Sequence, residues 1–405
     1  MAPTKKELAL AALVMLLIVL SLEVALRTGG VGFDAQLYGP SQELGWTLRP
    51  GAEGMVSTEA KQYVKINSHG FHDVERAYEK PANTFRIAIL GNSWTEALQV
   101  PLVENYCSVL EKRLAEKSCF GNEHVEVLNF GIAGYSTAQE LLMLREKVWR
   151  YDPDLVILAF YPARDIANNV RELNNAVDPE RSPYFVYSEG KLVLDDSFQR
   201  LPALQPRQIA LQDLGYVMNN RLRVLQAINA MQRFGKMRVA MAAEKTKGEE
   251  SGVEKLEYSI YKAPSVQAMR VAWKVTEDLL LTMRDEVNAH GAEFRVVILA
   301  TRPQVIPDLQ KRGELAQRIG VKDFAYADDR LNEFGGRQGI TMTALAPALA
   351  SYAEAHEVYL NGFNRSNLGA GHWNETGHRI VAETIAGDLC GESSNNDSSA
   401  KAAKR

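Results

Sequence analysis

The sequence has little of three things, and each shortage narrows the reading. Its 405 residues carry 46 Lys and Arg against 50 Asp and Glu. Without a basic surplus there is no reason to expect nucleic acid as a partner. Cysteine is scarce, only Cys107, Cys119 and Cys390. Cys107 falls on the apolar side of a predicted helix and reads as a small core residue. In an oxidising compartment two of the three can pair, leaving one over. Apolar runs long enough to approach a bilayer span are confined to one, Leu8 to Leu22, with Lys5 and Lys6 before it and Glu23, Leu26 and Arg27 after it. No small-x-small cleavage site follows, which favours an uncleaved signal anchor over a cleaved signal peptide, at the short end for a membrane helix. The two lysines keep the N-terminus cytoplasmic and place the body outside the inner membrane.

The length admits one large or two small domains. After the anchor (1–27), residues 28–82 read as an irregular extension rich in Gly and Pro, with Leu44-Gly45-Trp46 and Asn67-Ser68-His69-Gly70-Phe71. The stretch 83–390 reads as one α/β unit. Strands are expected at Phe85 to Leu90, Val125 to Phe130, Asp154 to Phe160, Phe294 to Ala300 and Gly339 to Leu345, as apolar runs of buried parallel-strand length. Between them lie helical patterns: Val103, Tyr106, Cys107, Leu110 and Leu114 on one, and a longer one over Val266 to Ala289. Alternation of this kind predicts a parallel sheet with helices on both faces. An insert at about 168–263, part helical and part charged without periodicity, leaves from the end of the third strand and reads as a lid or partner surface. The tail 391–405 has no apolar content and is expected to be disordered.

The chemistry gathers where strands end. Gly91-Asn92 forces a tight turn after the first strand and throws Ser93 out at its carboxyl end, where open α/β sheets place ligands. The second strand runs into Gly131-Ile132-Ala133-Gly134-Tyr135, and Ser136 with Gln139 matches a capping box for the next helix. The third delivers Tyr161-Pro162-Ala163-Arg164-Asp165, and near the C-terminus stands Gly371-His372-Trp373-Asn374-Glu375-Thr376-Gly377-His378.

These four blocks, in order and spacing, resemble the SGNH (GDSL-type) hydrolases. Gly91-Asn92-Ser93-Trp94-Thr95-Glu96-Ala97-Leu98-Gln99-Val100 looks like the bacterial membrane-anchored branch. The resemblance covers about residues 40 to 175 and 265 to 390. It implies a flavodoxin-like three-layer sandwich, a serine esterase or acyltransferase acting on acylated carbohydrate, and no metal or cofactor. By the resemblance Ser93 is the nucleophile and His372 the base, while the Ser93 and Gly134 backbone N–H groups and the residue at 164 form the oxyanion hole. His378 is structural in that pattern. Three departures stand out: Asn92 replaces an aspartate, Arg164 replaces an asparagine, and Gly369-Ala370-Gly371 stands where an acid normally precedes the histidine. Something else must then orient the imidazole, for which a backbone carbonyl suffices. An arginine at 164 would favour anionic ligands, unless it turns aside to pair with Asp165. Trp94 and Trp373 flank the two reactive residues as a candidate sugar platform, with packing under their helices as the other reading. The competing functional reading is a degenerate domain that binds glycan or an assembly partner without turnover.

Overall fold

The computed structural model describes residues 3–30, 32–121, 123–174, 178–232, 235, 258–364 and 367–391. Helix α1 (Lys5–Thr28) opens on a capping box between Thr4 and Glu7 and has no buried residue. It matches the expected apolar run and is long and apolar enough to cross a membrane.

The extension is less irregular than expected. It folds into two antiparallel hairpins, β1 (Tyr38–Ser41) with β2 (Gly45–Leu48) and β3 (Glu53–Val56) with β4 (Gln62–Lys65). Four-residue strands are too short to show a period of two in sequence. Leu37, Leu44, Leu48, Val64, Ile66 and Phe71 bury themselves in the main core, so the extension is an integral layer.

The central sheet holds β5 (Thr84–Gly91), β6 (His124–Gly131) and β7 (Leu155–Phe160) from the first half of the chain. A hairpin, β8 (Tyr184–Ser188) with β9 (Lys191–Asp195), lies in the insert, and β10 (Glu293–Ile298) and β11 (Thr341–Ala344) complete the sheet in the order β11-β10-β7-β5-β6. All its pairings are parallel. This order is the doubly wound one whose switch point falls between β5 and β7, and ligands sit outside the carboxyl ends of strands at such a point. The three strands β5, β6 and β7 are buried on both sides, as helices on each face require.

The helices are α2 (Ser93–Glu96), α3 (Tyr106–Lys117), α4 (Thr137–Glu146), α5 (Pro162–Asn168), α6 (Pro206–Arg221), α7 (Gln267–Ala289), α8 (Leu309–Ile319), α9 (Tyr326–Gln338), α10 (Ala346–His356) and α11 (Glu375–Leu389). Helix α3 packs with α11, and α7 with α4 and α5; right-handed crossovers put the two groups on opposite faces. Two local expectations fail. Val103 precedes α3, three-quarters exposed, in a 3₁₀ turn ended by Asn105, which caps α3 instead. Ser136 caps α4 without a side-chain bond, because the Gln139 amide donates 3.0 Å to the Leu44 carbonyl of the extension. A tertiary partner outcompetes the local one. Cys119 and Cys390 form a disulfide and Cys107 is buried and free, matching the two-plus-one count.

The insert packs on the extension: α6 lies against β1, and Arg49 pairs with Asp213. Residues 233–234 and 236–257, including all of its charged run (Glu244 to Lys255), lie outside the described residues, as does the tail from 392.

Candidate active site

Gly91 ends β5 because a Cβ there would drive into the Thr95 hydroxyl. Asn92 turns the chain, accepting from the Trp94 N–H (3.2 Å) as the cap of α2 while its amide donates 2.9 Å to Asp165 Oδ1. Asparagine in place of aspartate thus keeps the turn bond, and its NH₂ serves a second carboxylate. Ser93 is left half-buried at the mouth of a cleft of about 920 Å³.

His372 reaches it from the loop before α11. Its Nε2 lies 2.8 Å from Ser93 Oγ, within reach for proton transfer. On the other side, Nδ1 lies 2.7 Å from Glu59 Oε1, and the His372 backbone N–H donates 2.8 Å to Glu59 Oε2. A carboxylate can only accept, so Nδ1 carries the hydrogen and Nε2 is left to receive the serine proton. The orienting group is therefore a carboxylate from the extension, and not the backbone carbonyl that would suffice. Burial alone would raise the Glu59 carboxyl, but the His372 hydrogen bonds and charge, with Arg302 nearby, bring it below the ordinary value.

The extension's contribution also explains the glycine before the histidine. Gly371 has φ +71°, and a Cβ there would strike the Glu59 carboxylate. Where the acid is expected, the chain keeps a residue small enough to admit an acid from elsewhere. That vacancy was the only signal for Glu59, since Thr58-Glu59-Ala60 matches no motif.

Gly134 follows β6 with φ +82°, its missing Cβ facing Trp46 Cζ2 at 3.2 Å. It lines the same cleft as Ser93, His372, Arg164 and Arg302. Arg164 is half-buried. The two Asp165 oxygens are already engaged, one by Asn92 and the other by the Tyr161 N–H at 2.6 Å. Burial pushes Asp165 up to about 7, against those bonds and the charge of Arg164.

The two indoles part company. Trp94 lines the cleft, its ring 4.9 Å from the His372 ring and 4.9 Å from Tyr161. Trp373 is fully buried, packed edge-on against Trp94 and Tyr106, so a sugar cannot stack on it. The packing reading holds at that position. His378 is structural: its Nδ1 accepts 3.3 Å from the Tyr106 N–H, and burial drives it down to about 3. Among the described residues no cluster of His, Cys, Asp and Glu could hold a metal ion.

The insert, expected as a lid or partner surface, meets the cleft at one point among its described residues. Beyond Asn168 at its root, none of the described insert residues lines the cleft. Asp34 to Tyr38, Val56, Thr58 and Glu59 of the extension wall it instead, and Tyr38 fastens this strap by donating 2.7 Å to Glu96 Oε2. The insert sits behind that strap.

Fold and site together define a serine-hydrolase arrangement, a parallel α/β sheet presenting serine, histidine and carboxylate at its carboxyl edge. Solved structures with a similar fold include an acetyl xylan esterase (12 % identity, 74 % of this chain and 98 % of that one, TM-score 0.34). A lipase/acylhydrolase from Enterococcus faecalis (14 %, 76 % and 96 %, 0.34) and a catalytic mutant of an acetylxylan esterase from Geobacillus stearothermophilus (10 %, 75 % and 94 %, 0.37) are also similar. No protein-family model matches the chain, and no curated protein does.

Proposed function

We propose that this chain is a serine esterase or acyltransferase of the SGNH (GDSL-type) kind, in its membrane-anchored branch. In this reading α1 holds it in the inner membrane, and the extracytoplasmic body acts on O-acyl groups of envelope or exported polysaccharide. The Ser93–His372–Glu59 line of hydrogen bonds carries the reading. Ser93 Oγ attacks the acyl carbonyl as His372 Nε2 takes its proton, and the imidazolium is stabilised by Glu59. The developing oxyanion is met by the N–H groups of Ser93 and Gly134 and by the Arg164 guanidinium. Collapse passes the proton from His372 to the departing alcohol and leaves an acyl-serine. Water then resolves it in hydrolysis, or a sugar hydroxyl in transfer.

Labelling by a fluorophosphonate probe, which reacts with an activated serine, decides between turnover and a binding-only domain. The wild-type chain should label and should hydrolyse p-nitrophenyl acetate, and Ser93→Ala should do neither. Absence of labelling in the wild type would leave the glycan- or partner-binding reading. Arg164 adds a fixed positive charge to the cleft. Arg164→Asn should therefore lower activity on anionic acylated glycans while neutral esters hold, and an unchanged profile on both would make Arg164 structural.

A further inference from the structure

Helix α6 is built inside out. Its side toward the protein is formed by Ile209, Gln212, Tyr216 and Asn219, of which Asn219 is buried and the others half-buried. Gln212, Tyr216 and Asn219 line a cleft together with Tyr38, Trp46 and Arg49. Arg49 also pairs with Asp213 and lies 4.3 Å over the Tyr216 ring. The outward side is apolar: Leu211, Leu214, Val217, Met218 and Leu222 are 39–56 % exposed. Their spacings of three and four place them on one stripe. Ile228 and Met231, on the helical stretch at 223–232 that follows, are exposed too. A water-facing helix would carry the opposite pattern.

The stripe lies beside the end of α1. The Glu23 carboxylate of α1 accepts from the backbone N–H groups of Arg223 (3.0 Å) and Val224 (2.9 Å), capping the stretch at 223–232. Arg27 donates 2.6 Å to the Arg221 carbonyl. An apolar layer of about 30 Å takes about 20 residues of helix, and counted from Leu8 these end at about Arg27. Residues 221–224, bonded to Glu23 and Arg27, therefore stand at the lipid–water boundary. Arg207 and Arg221, in the first and last turns of α6, are exposed on the same side and long enough to reach headgroup phosphates.

From this we infer that α6 lies in the membrane interface, its Leu211–Leu222 stripe in lipid. The body then rests on the bilayer through a second contact, beyond the tether. The inference rests on α1 spanning the bilayer and is independent of the ester chemistry.

The test uses the full chain in vesicles of phosphatidylethanolamine and phosphatidylglycerol, with one nitroxide on an introduced cysteine. The native cysteines are a disulfide and a buried thiol, so the new site is the one labelled. Labels at Leu214→Cys and Met218→Cys should relax faster with oxygen than with a water-soluble nickel chelate. A label at Lys322→Cys on the body should show the reverse, and one at Val14→Cys in α1 should strongly favour oxygen. Nickel-dominated relaxation at Leu214 and Met218, with Val14 still favouring oxygen, would put α6 in water and overturn the docking alone. Labels shielded from both reagents until the chain is diluted to one per nanodisc would mean a second copy covers the stripe, which overturns it equally. A nickel-accessible Val14 would remove the anchor and the docking together.

Discussion

Glu59 lies 34 residues before Ser93 and 313 before His372, yet it fixes the tautomer on which the proposed mechanism depends. Glu59→Gln keeps its size and removes its charge. A triad whose acid is neutralised loses about 10⁴ in turnover, so kcat on p-nitrophenyl acetate should fall by that order. A loss under about tenfold would mean that another group holds His372. Glu96, three residues after the serine, makes a different prediction. It is buried beneath the Tyr38 strap, and desolvation pushes it up to about 7 against the bonds from Tyr38 and the Ala133 N–H. An acid raised in the folded state contributes its stability below its unfolded value, about 4.5, and loses it as pH climbs to about 7. The loss is on the order of 3 kcal/mol. Glu96→Gln keeps an acceptor for Tyr38 and abolishes the titration. Its melting temperature relative to wild type should climb between pH 4.5 and 8, and a difference flat across that range would refute the assignment.

At the scale of elements, the loop after β6 is held by the extension as firmly as by its own strand. The Trp46 indole N–H donates 2.9 Å to the Ala133 carbonyl, and the Tyr135 hydroxyl donates 2.6 Å to the Trp46 carbonyl. Trp46→Phe keeps a ring beside Gly134 and deletes one hydrogen bond, worth about 0.5–1.5 kcal/mol, so kcat should fall up to about tenfold. Gly134→Ala should cost more, about 10²–10³ in kcat, since φ +82° and the Trp46 contact both displace the amide. Equal, small effects in steady-state kinetics would show that the Gly134 N–H does not meet the oxyanion.

Across the whole molecule, the Cys119–Cys390 disulfide spans 271 residues and ties the end of α11 to the loop after α3. His372 stands just before the other end of α11, so the bond restrains the element that follows this histidine. Replacing both cysteines by serine should lower stability by about 2–5 kcal/mol, read as a lower urea midpoint at unchanged slope. Ser93 labelling in the folded fraction should persist, because the bond lies away from the cleft. Loss of labelling at full folding would make the disulfide a positioning device for His372.

Composition and period alone fixed a good deal. The five strands of the central sheet and α7 follow from apolar runs and from three-and-four spacing, local properties that burial imposes most strongly on β5, β6 and β7. The placement of Ser93 was equally legible, because a strand end, a tight turn and a helix start are written in neighbouring residues, whereas His372 was reached only through the resemblance of its block to a known family. What the chain could not show by itself depends on contacts distant in sequence. The short hairpins of the extension bring Glu59 to His372, Leu44 takes Gln139 from Ser136, and Trp373 sinks beneath Trp94. Tertiary structure decided each of these, because a hydrogen bond or a buried ring is settled by whichever partner space provides, and the local sequence contains no record of that partner.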